Sequence, residues 1–396
     1  MLTEGGYVRD HEGPAGGFHP GGVFYSPDDG DSSSEELAYA RQHFFLPRRA
    51  QDPFGNVTTI FYDDYDLLLL ESRDALDNCV TAGERAPDGT IVAQGNDYRV
   101  LQPWLVTDPN RNRAAVAFDA LGMVVGTAVV GKPEEHLGDT LAGFLADLSE
   151  STIAEHLQAP LCRPHEILQD ATTRVVYDRF AYWRTRGCAQ PRPAVAYTLA
   201  RETHAADLPP GVLTRVQHAF SYSDGFGREI QRKLQAEPGQ LRTSSLEAFP
   251  RWVGSGWMLF NDKGNPVRQY EPFFSDTHEF EFERVEGVST VLFYDPLERV
   301  VAQLSPDHTY RKIVFDPWQQ KTWDANDTVL QDDPREDPDV GVYFLGLATD
   351  EFLPTWHARR QHGGMGPTRR KLPSKPPRTL APPLEHYSTT WAAHFS

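Results

Sequence analysis

The sequence is poor in the features that mark several common classes of protein. It has only three cysteines, Cys79, Cys162 and Cys188, an odd and sparse set that argues against a disulfide framework and for folding in a reducing compartment. Its longest uninterrupted aliphatic run, residues 67–70, is far shorter than the roughly 20 residues of a membrane-spanning helix. The N-terminal MLTEGGYVRD has no basic stretch followed by an apolar one, so we expect no signal peptide and synthesis in the cytoplasm.

Basic residues are also few. The chain has 38 Lys and Arg against 56 Asp and Glu, which gives a net charge of -18. The stretch from Arg359 to the C-terminus carries +6, which leaves -24 for the remainder. A body this acidic repels the phosphates of nucleic acids and of anionic lipids, so neither is an expected partner.

The residues that are abundant favour many short strands joined by turns. Aromatic residues make up 11% of the chain, and there are 31 glycines and 31 prolines. This combination is typical of an all-β fold with a few short helices. We predict a loop-rich segment over residues 1–34, a β region over 35–357 and a Pro-rich basic tail over 358–396.

Two interruptions of the strand pattern predict helices. Ser32 and Ser33 each stand three residues before a glutamate, the capping-box spacing, which predicts a short helix over about 33–44. Between 133 and 158, apolar residues recur every three to four positions, which predicts a helical insertion with a second helix starting near Ser151. The residues of this stripe are Leu137, Leu141, Phe144, Leu145 and Leu148.

A short recurring pattern is the strongest signal in the chain. Most copies read as a strand, an aromatic residue, Asp or Asn, two further residues, Gly and another strand. An Asp or Asn at the first turn position accepts backbone hydrogen bonds, and Gly at the fourth supplies the backbone angles of the turn. A single hairpin is marginally stable, so we expect stacked antiparallel hairpins that share a core. The spacing is kept in Asp52–Gly55, Asp119–Gly122, Asp224–Gly227 and Asn261–Gly264.

The segment FYDPLERVVAQLSPDHTYRKIVFDPWQQ contains two degenerate copies, around Asp295 and Asp316. Glu298 and Gln319 stand where other copies have Gly, so we predict looser turns there. The two aspartates are interpreted as turn formers and not as catalytic carboxylates.

The unit Y-D-x-x-G-R, with strands on both sides, resembles the YD repeat of the Rhs family. Longer stretches resemble the C-terminal, shell-forming region of the TcB-type component of bacterial insecticidal toxin complexes. Two of them are FFLPRRAQDPFGNVTTIFYDDYDLLLL at 44–70 and NDYRVLQPWLVTDPNRNRAAVAFDALGMVVGTAV at 96–129. The resemblance spans residues 20–357, so the sequence is similar to a fragment of that much longer component.

The resemblance implies a spiralling, hollow β shell that a TcB-like protein builds with a TcC-like Rhs partner. The shell encloses a toxic polypeptide and docks on a TcA-like pore-forming component, and the assembly is secreted. This implies a structural, non-enzymatic role, for which we predict no catalytic, cofactor-binding or metal-binding residue and no cofactor. Rhs partners cleave themselves at a D-P-x-G site, but the one such string here, Asp52–Gly55, lacks an acidic partner upstream.

The family pattern ends near residue 358. The following GGMGPTRRKLPSKPPRTLAPPLEHYSTTWAAHFS is rich in proline and has no strand pattern. Two explanations stay open, a naturally disordered tail and the product of a frameshift.

Several strings approach known site motifs without completing them. Gly126–Pro133 ends in Pro where a phosphate-binding loop has Ser or Thr, and its centre reads as a strand. Ser255 lacks the outer glycines of a nucleophile elbow. His165-Glu166 and His278-Glu279 lack the second histidine of a zinc protease, and Cys162, His165 and Cys188 are too few for a structural zinc site.

Other clusters have structural interpretations with open alternatives. The acids between Asp324 and Asp339 lack the order of a calcium-binding loop and predict a solvated acidic loop. Aromatic clusters at Tyr182-Trp183, Phe273-Phe274 and Trp318 are expected to pack between strands, although they could form a sugar-binding platform.

Two further functional classes therefore remain. One is a carbohydrate- or surface-binding β-repeat module, and the other is a hydrolase that uses paired acids. A wall fragment would expose strand edges and apolar surface, so we expect the isolated chain to associate or to be poorly soluble.

Overall fold

The computed structural model describes residues 8–9, 18–19, 22–135, 137–241, 247–361 and 384–386. Strands account for 35% of it and helices for 14%, which confirms the all-β prediction. The chain divides into two compact units, Met1–Phe180 with Val195–Ala219 and Ala181–Ala194 with Phe220–Ser396.

The strands are short, with lengths of two to eight residues. Up to residue 201 they are β1 (Val8–Arg9), β2 (Phe18–His19), β3 (Gly22–Phe24), β4 (Arg49–Gln51), β5 (Val57–Tyr62), β6 (Leu69–Arg73), β7 (Cys79–Arg85), β8 (Ile91–Gln94), β9 (Asn96–Asp97), β10 (Gln102–Pro103), β11 (Leu105–Thr107), β12 (Arg113–Phe118), β13 (Val124–Val130), β14 (Thr173–Asp178) and β15 (Ala194–Arg201). After residue 201 they are β16 (Val216–Ser223), β17 (Glu229–Ala236), β18 (Gly239–Gln240), β19 (Glu247–Ala248), β20 (Arg251–Gly254), β21 (Met258–Phe260), β22 (Pro266–Gln269), β23 (Phe273–Ser275), β24 (Thr290–Tyr294), β25 (Val300–Leu304), β26 (Tyr310–Phe315), β27 (Gln320–Trp323) and β28 (Leu384–His386).

The helices are few and mostly short. They are α1 (Ser33–Gln42), α2 (Glu150–Gln158), α3 (His165–Leu168), α4 (Ala181–Thr185), α5 (Gly341–Phe344) and α6 (Trp356–Gln361), with 3₁₀ turns at Ala205–Asp207, Pro334–Glu336 and Thr349–Glu351. Within the described residues, none of the helices is long and apolar enough to cross a membrane.

The first unit is built on one long antiparallel sheet. Its strand order is β3-β4-β5-β6-β7-β11-β12-β13-β14-β15, and β8 pairs with β7. Most neighbours in this order are also neighbours in sequence, so the sheet is a meander of hairpins. This confirms the stacked antiparallel hairpins expected from the recurring turns.

The two faces of this sheet have different surroundings. On β14 and β15, Arg174, Val176, Tyr197 and Leu199 are almost completely buried and lie on one face. The residues that alternate with them, such as Val175, point to the opposite face and are only partly buried. The core of this unit therefore lies on one side of the sheet.

Helix α1 forms where the capping pattern predicts it. Ser32 accepts a hydrogen bond from the backbone of Glu35, and the Glu35 side chain accepts one from the Ser32 N–H at 2.9 Å. These two contacts satisfy N–H groups that have no partner within the first turn of the helix.

The helix predicted over Leu137–Leu148 is wrong. Helix α2 begins one residue before Ser151, as predicted, but the described residues of 131–149 form an irregular segment with turns on the buried face of the sheet. Its apolar side chains pack directly on the strands. Leu141 contacts the cluster of Leu105, Ala115 and Ala128, and the Phe144 ring fills the space above Gly126, where a Cβ would overlap it.

Hydrogen bonds to the sheet replace the helical ones in this segment. The Asp139 N–H donates to the Val129 carbonyl at 2.8 Å, and the buried Arg174 guanidinium donates to the carbonyls of Leu145 and Ala146. Burial lowers the pKa of Arg174 to about 10, although Asp147 opposes this shift. The apolar spacing therefore reflected contacts with a sheet and not a helical stripe.

The described strands of the second unit follow two main orders. One is β16-β17-β20-β23, the other is β21-β22-β24-β25-β26-β27-β28, and β18 pairs separately with β19. The main core of the unit packs Val291, Leu304 and Tyr310 of the second sheet against Phe344 and Phe352. The short α5 and the following 3₁₀ turn thus cover one face of that sheet.

The predicted boundaries at residues 34 and 357 stay predictions. Most of residues 1–21, and the tail from 362 on apart from 384–386, lie outside the described residues. The proposals of a disordered or frameshifted tail fall on this part of the chain.

Candidate functional site: a row of hairpin turns

Six of the described hairpin turns share one hydrogen-bond arrangement. Asp52 Oδ1 accepts from the backbone N–H of Phe54 at 2.8 Å and of Asn56 at 2.9 Å, and the Asp52 carbonyl accepts from the Gly55 N–H at 3.1 Å. The predicted turn-forming role of the first residue is confirmed. The same three contacts recur at Asp74, Asp119, Asp224, Asn261 and Asp295.

The fourth residue of these turns has left-handed backbone angles. The four predicted glycines, Gly55, Gly122, Gly227 and Gly264, have φ of +88°, +80°, +79° and +90°. Glu298 keeps the same turn with φ +66°, so the looser turn predicted there is wrong and the glutamate adopts a conformation that suits glycine. The Asp316 turn does depart from the arrangement, because the Asp316 N–H donates to the Gln319 carbonyl.

The fifth residue, which is Arg in the Y-D-x-x-G-R unit, completes the turn, a role that was not predicted from the sequence. Asn56 Nδ2 donates to Asp52 Oδ2 at 2.8 Å, and Arg299 Nε donates to Asp295 Oδ2 at 2.7 Å. The hydrogen bond from Asn56 lowers the pKa of Asp52. Burial raises the pKa of Asp295, but hydrogen bonds from the Arg299 backbone and side chain outweigh this effect, so the pKa lies below its ordinary value. An Asp followed four residues later by Asn or Arg is the sequence signal for this contact.

In the second unit, four turns contact one another in series. We call residues 224–228, 261–265, 295–299 and 316–319 the turn row. Each neighbouring pair is joined by a contact that involves a basic side chain. The contacts are the Arg228 guanidinium 4.4 Å from the Phe260 ring centroid, Lys263 Nζ 2.6 Å from the Pro296 carbonyl oxygen and the Arg299 guanidinium 4.2 Å from the Phe315 ring centroid.

The third residue of three of these turns is large, apolar and exposed. Phe226 is 88% exposed, Leu297 is 73% exposed and Trp318 is 86% exposed. This turn position ordinarily favours small or polar residues, so the turn itself does not require these side chains. The third residues of three turns in the first unit, Phe54, Leu76 and Leu121, are also exposed, at 79%, 83% and 65%.

The aromatic clusters only partly pack as predicted. Phe273 is buried beside Lys233 and Arg284, which confirms the core-packing prediction for that residue. Tyr182 and Trp183 are exposed, as are Phe274 and Trp318, so the prediction is wrong for them. Tyr182 and Trp183 lie on α4, where a helix turn follows Asp178 in place of a tight hairpin, and they therefore stand outside the strand ladder.

The uncovered face of the first unit's sheet carries mainly uncharged side chains in the described strands from β7 to β15, although Glu84, two residues after Ala82 in β7, adds a carboxylate. Cross-strand pairing places these residues on one face, because directly paired residues point to the same side. All but Ala82 are at least partly exposed. The residues are Val80, Ala82, Val106, Ala114, Val116, Thr127, Val129, Thr173, Val175, Thr198 and Ala200.

The segments that approach known site motifs form parts of the fold. Gly126 to Val130 belong to β13, which confirms the strand predicted at the centre of the phosphate-loop-like string. Ser255 Oγ accepts from the Arg232 N–H at 2.9 Å. Cys162 and Cys188 are exposed, and Cys79 is buried. Across the described ranges, no group of three or more His, Cys, Asp or Glu side chains is arranged to hold a metal ion.

The predicted solvated acidic loop is wrong for Asp337. This carboxylate is buried, accepts from the Tyr310 hydroxyl at 2.6 Å and pairs with Lys312 Nζ at 2.9 Å, and Asp339 contacts the same ammonium at 2.6 Å. Burial raises the pKa of Asp337, but the hydrogen bonds from Tyr310 and Lys312 lower it more. The alternation of β26 puts Tyr310 and Lys312 on its buried side, a placement that depends on contacts distant in sequence.

Comparisons with known proteins show which solved structures have a similar fold. No family model and no curated protein matches the sequence. The solved TcdB2-TccC3 structure matches with a TM-score of 0.56 and 21% identity over 84% of this chain and 15% of that chain. The chain has the fold of part of a Tc toxin chain. The Photorhabdus luminescens Tc holotoxin pore matches with a TM-score of 0.56 and 19% identity, over 85% of this chain and 17% of that one.

The Tc-type fold here presents two surfaces that other chains could contact. One is the turn row with its apolar third residues, and the other is the uncharged face of the first unit's sheet.

Proposed function

We propose that the chain forms a wall segment of a hollow Rhs-type shell that encloses a toxic polypeptide and helps to deliver it. The observation that carries this proposal is the meander of hairpins in the first unit, in which one face is buried and the other is mainly uncharged. Backbone hydrogen bonds run from strand to strand along such a wall, and the Asp turns close its ends. The YD-type repeats and the shared fold with Tc toxin chains support the same role.

The role is structural and needs no catalytic group, so we propose that the protein is not an enzyme. A TcC-like Rhs partner would build the shell together with this chain, and a TcA-like pore-forming component would receive it. The chain spans 15% of the TcdB2-TccC3 chain that it matches, so other segments would form most of the shell. We propose synthesis in the bacterial cytoplasm and release as part of the toxin complex.

The uncharged face suits contact with a varied cargo. Fixed charges in a poorly hydrated interior attract or repel charged segments strongly. A face of valine, alanine and threonine exerts no such force. We propose that this face lines the lumen of the shell, because the opposite face is occupied by the unit's own core.

Co-expression with a TcC-like Rhs partner tests the proposal. We expect the partner to co-purify with this chain and its cargo segment to resist trypsin within the complex. The variant V176K places a charge in the buried face and should abolish co-purification, whereas V175K, one residue away on the uncovered face, should retain it. A folded chain that leaves the partner unbound and the cargo equally sensitive to trypsin would refute the proposal.

A carbohydrate- or surface-binding module is the second candidate, favoured by the exposed Tyr182 and Trp183. The Arg186 guanidinium lies 3.2 Å from the Trp183 ring centroid and covers one face of the indole. Specific binding on a glycan array that is lost in W183A would support this function. A wild-type chain that binds no glycan on the array would exclude it.

A further inference from the structure

We infer that the turn row is an interface for a second row of hairpin turns of the same kind, and that two isolated copies of this chain associate through it. The interface goes beyond the proposed shell function, since it names the surface by which one series of hairpins meets another. It rests on the apolar third residues, on a turn-to-turn contact within the second unit and on the order of charges along the row.

The apolar third residues give the row a contact surface. Phe226, Leu297 and Trp318 occupy turns of one connected series, so they form a line and not scattered surface residues. Single exposed apolar side chains are ordinary on protein surfaces, whereas grouped ones mark sites of interaction. Covering three such side chains would provide most of the free energy of association.

The second unit already contains a contact between turns of two different sheets. The β16-β17 hairpin turn belongs to one sheet and the β21-β22 turn to the other, and Arg228 of the first turn lies over Phe260 beside the second. A Cβ on Gly264 would lie 3.0 Å from Arg228 Nη1, so the two turns approach closely. Turn-to-turn packing is thus a contact that this fold makes, with an aromatic ring and a guanidinium at its centre.

In the first unit, a turn of related type contacts an aromatic residue. Tyr65 follows Asp63 by two residues, and its ring makes an edge contact with Tyr98 at 6.1 Å, although Tyr65 stays 68% exposed. The Tyr98 hydroxyl donates to Asp63 Oδ2 at 2.7 Å, and this hydrogen bond raises the pKa of Tyr98 to about 12. The fold therefore makes contacts between such a turn and an aromatic side chain.

The charges of the row favour an antiparallel arrangement of two copies. Lys263 in the second turn of the series and Glu298 in the third pair within one chain, with Lys263 Nζ 3.8 Å from Glu298 Oε1, and both side chains stay half exposed. A two-fold axis through the middle of the row places this ion pair against the reversed ion pair of the second copy and each Phe226 opposite Trp318. The row is thus complementary to itself in charge at its centre and in apolar surface at its two outer turns.

Sedimentation equilibrium of the full chain tests the inference. The wild-type chain should dimerise, and the triple variant F226S/L297S/W318S should dimerise at least roughly tenfold more weakly. The matched control is F54S/L76S, which changes the same turn position at similar exposure outside the row and should leave the dissociation constant unchanged. Circular dichroism and thermal melting of each variant check that it remains folded.

A charge swap provides a second measurement that keeps every apolar side chain. K263E and E298K should each weaken dimerisation, and K263E/E298K should restore it. A wild-type chain that stays monomeric up to about 0.1 mM would overturn the inference. A folded triple variant that dimerises like the wild type would also overturn it, because association would then run through strand edges. Charge variants that dimerise like the wild type would overturn it as well.

Discussion

Single carboxyl groups organise the hairpin turns of this protein. In the Asp52 turn, one carboxylate oxygen accepts two backbone N–H groups and the other accepts the side chain of Asn56. Hydrogen bonds to a charged acceptor are stronger than neutral ones, so each turn is held by its own first residue. Replacing Asn with Arg at the fifth position, as at Arg299, adds an ion pair and a contact with a neighbouring aromatic ring.

The left-handed Glu298 offers a direct test of backbone strain. A side chain at φ +66° costs roughly 1–2 kcal/mol relative to glycine. We expect E298G to raise the free energy of unfolding by about 1 kcal/mol in urea titrations, after the greater flexibility of glycine in the unfolded chain is included. E298A is the control, since it removes the carboxylate but keeps Cβ. Equal stability of the two variants would argue against strain.

His218 is buried, and its ring makes a hydrogen bond with Tyr197. The Tyr197 hydroxyl donates to the Pro160 carbonyl at 3.0 Å, and its oxygen lies 2.7 Å from His218 Nδ1. Since a phenol has a single proton, Nδ1–H of the neutral imidazole donates to the Tyr197 oxygen. Burial, and to a smaller extent the charge of His165, lowers the pKa of His218 to about 4.

Acidification should therefore destabilise the protein through His218. Between pH 6.5 and 4 the unfolded chain binds a proton at this residue that the folded chain does not, so the free energy of unfolding falls as the pH falls. The total loss at pH 4 is about 3 kcal/mol, and it is absent above pH 7. In urea titrations at pH 7.5 and 5.0, H218Q should lose less stability than the wild type. An identical loss in both proteins would assign the effect to other groups.

At the scale of elements, the sequence predicts features that depend on contacts between residues close in the chain and misses features that depend on contacts distant in sequence. The turns and α1 were predictable because Asp52, Gly55 and Ser32 act on backbone groups within four residues. The segment over 131–149 was not, because its leucines pack on a sheet whose strands lie elsewhere in the chain. Burial of Asp337 likewise depends on Lys312, 25 residues away.

Strand β14 offers a matched pair of positions for testing the two faces of the first unit's sheet. Val176 is 2% exposed, so V176K would bury an ammonium without a partner and should cost several kcal/mol. V175K points to the uncovered face, where the ammonium stays hydrated, and should cost less than about 1 kcal/mol. Thermal melting of both variants measures the difference. Similar melting temperatures would mean that the faces are wrongly assigned.

At the scale of the whole molecule, apolar surface and net charge oppose each other. The chain leaves many large apolar side chains exposed at turns and strand faces, which favours association. Its net charge of -18 repels a second copy. Because salt screens charges separated by more than about 10 Å at 0.1 M, the balance between the two effects depends on ionic strength.

Raising the salt concentration should therefore strengthen self-association of the full chain. From 50 mM to 500 mM NaCl the repulsion between two acidic chains is largely screened, while burial of Phe226, Leu297 and Trp318 is not weakened. Lys263 and Glu298 contribute an attraction that salt reduces, but one exposed ion pair contributes at most about 1 kcal/mol. Sedimentation equilibrium at the two salt concentrations measures the change in dissociation constant. Weaker association at high salt would show that ion pairs, and not the apolar residues of the turn row, hold the two copies together.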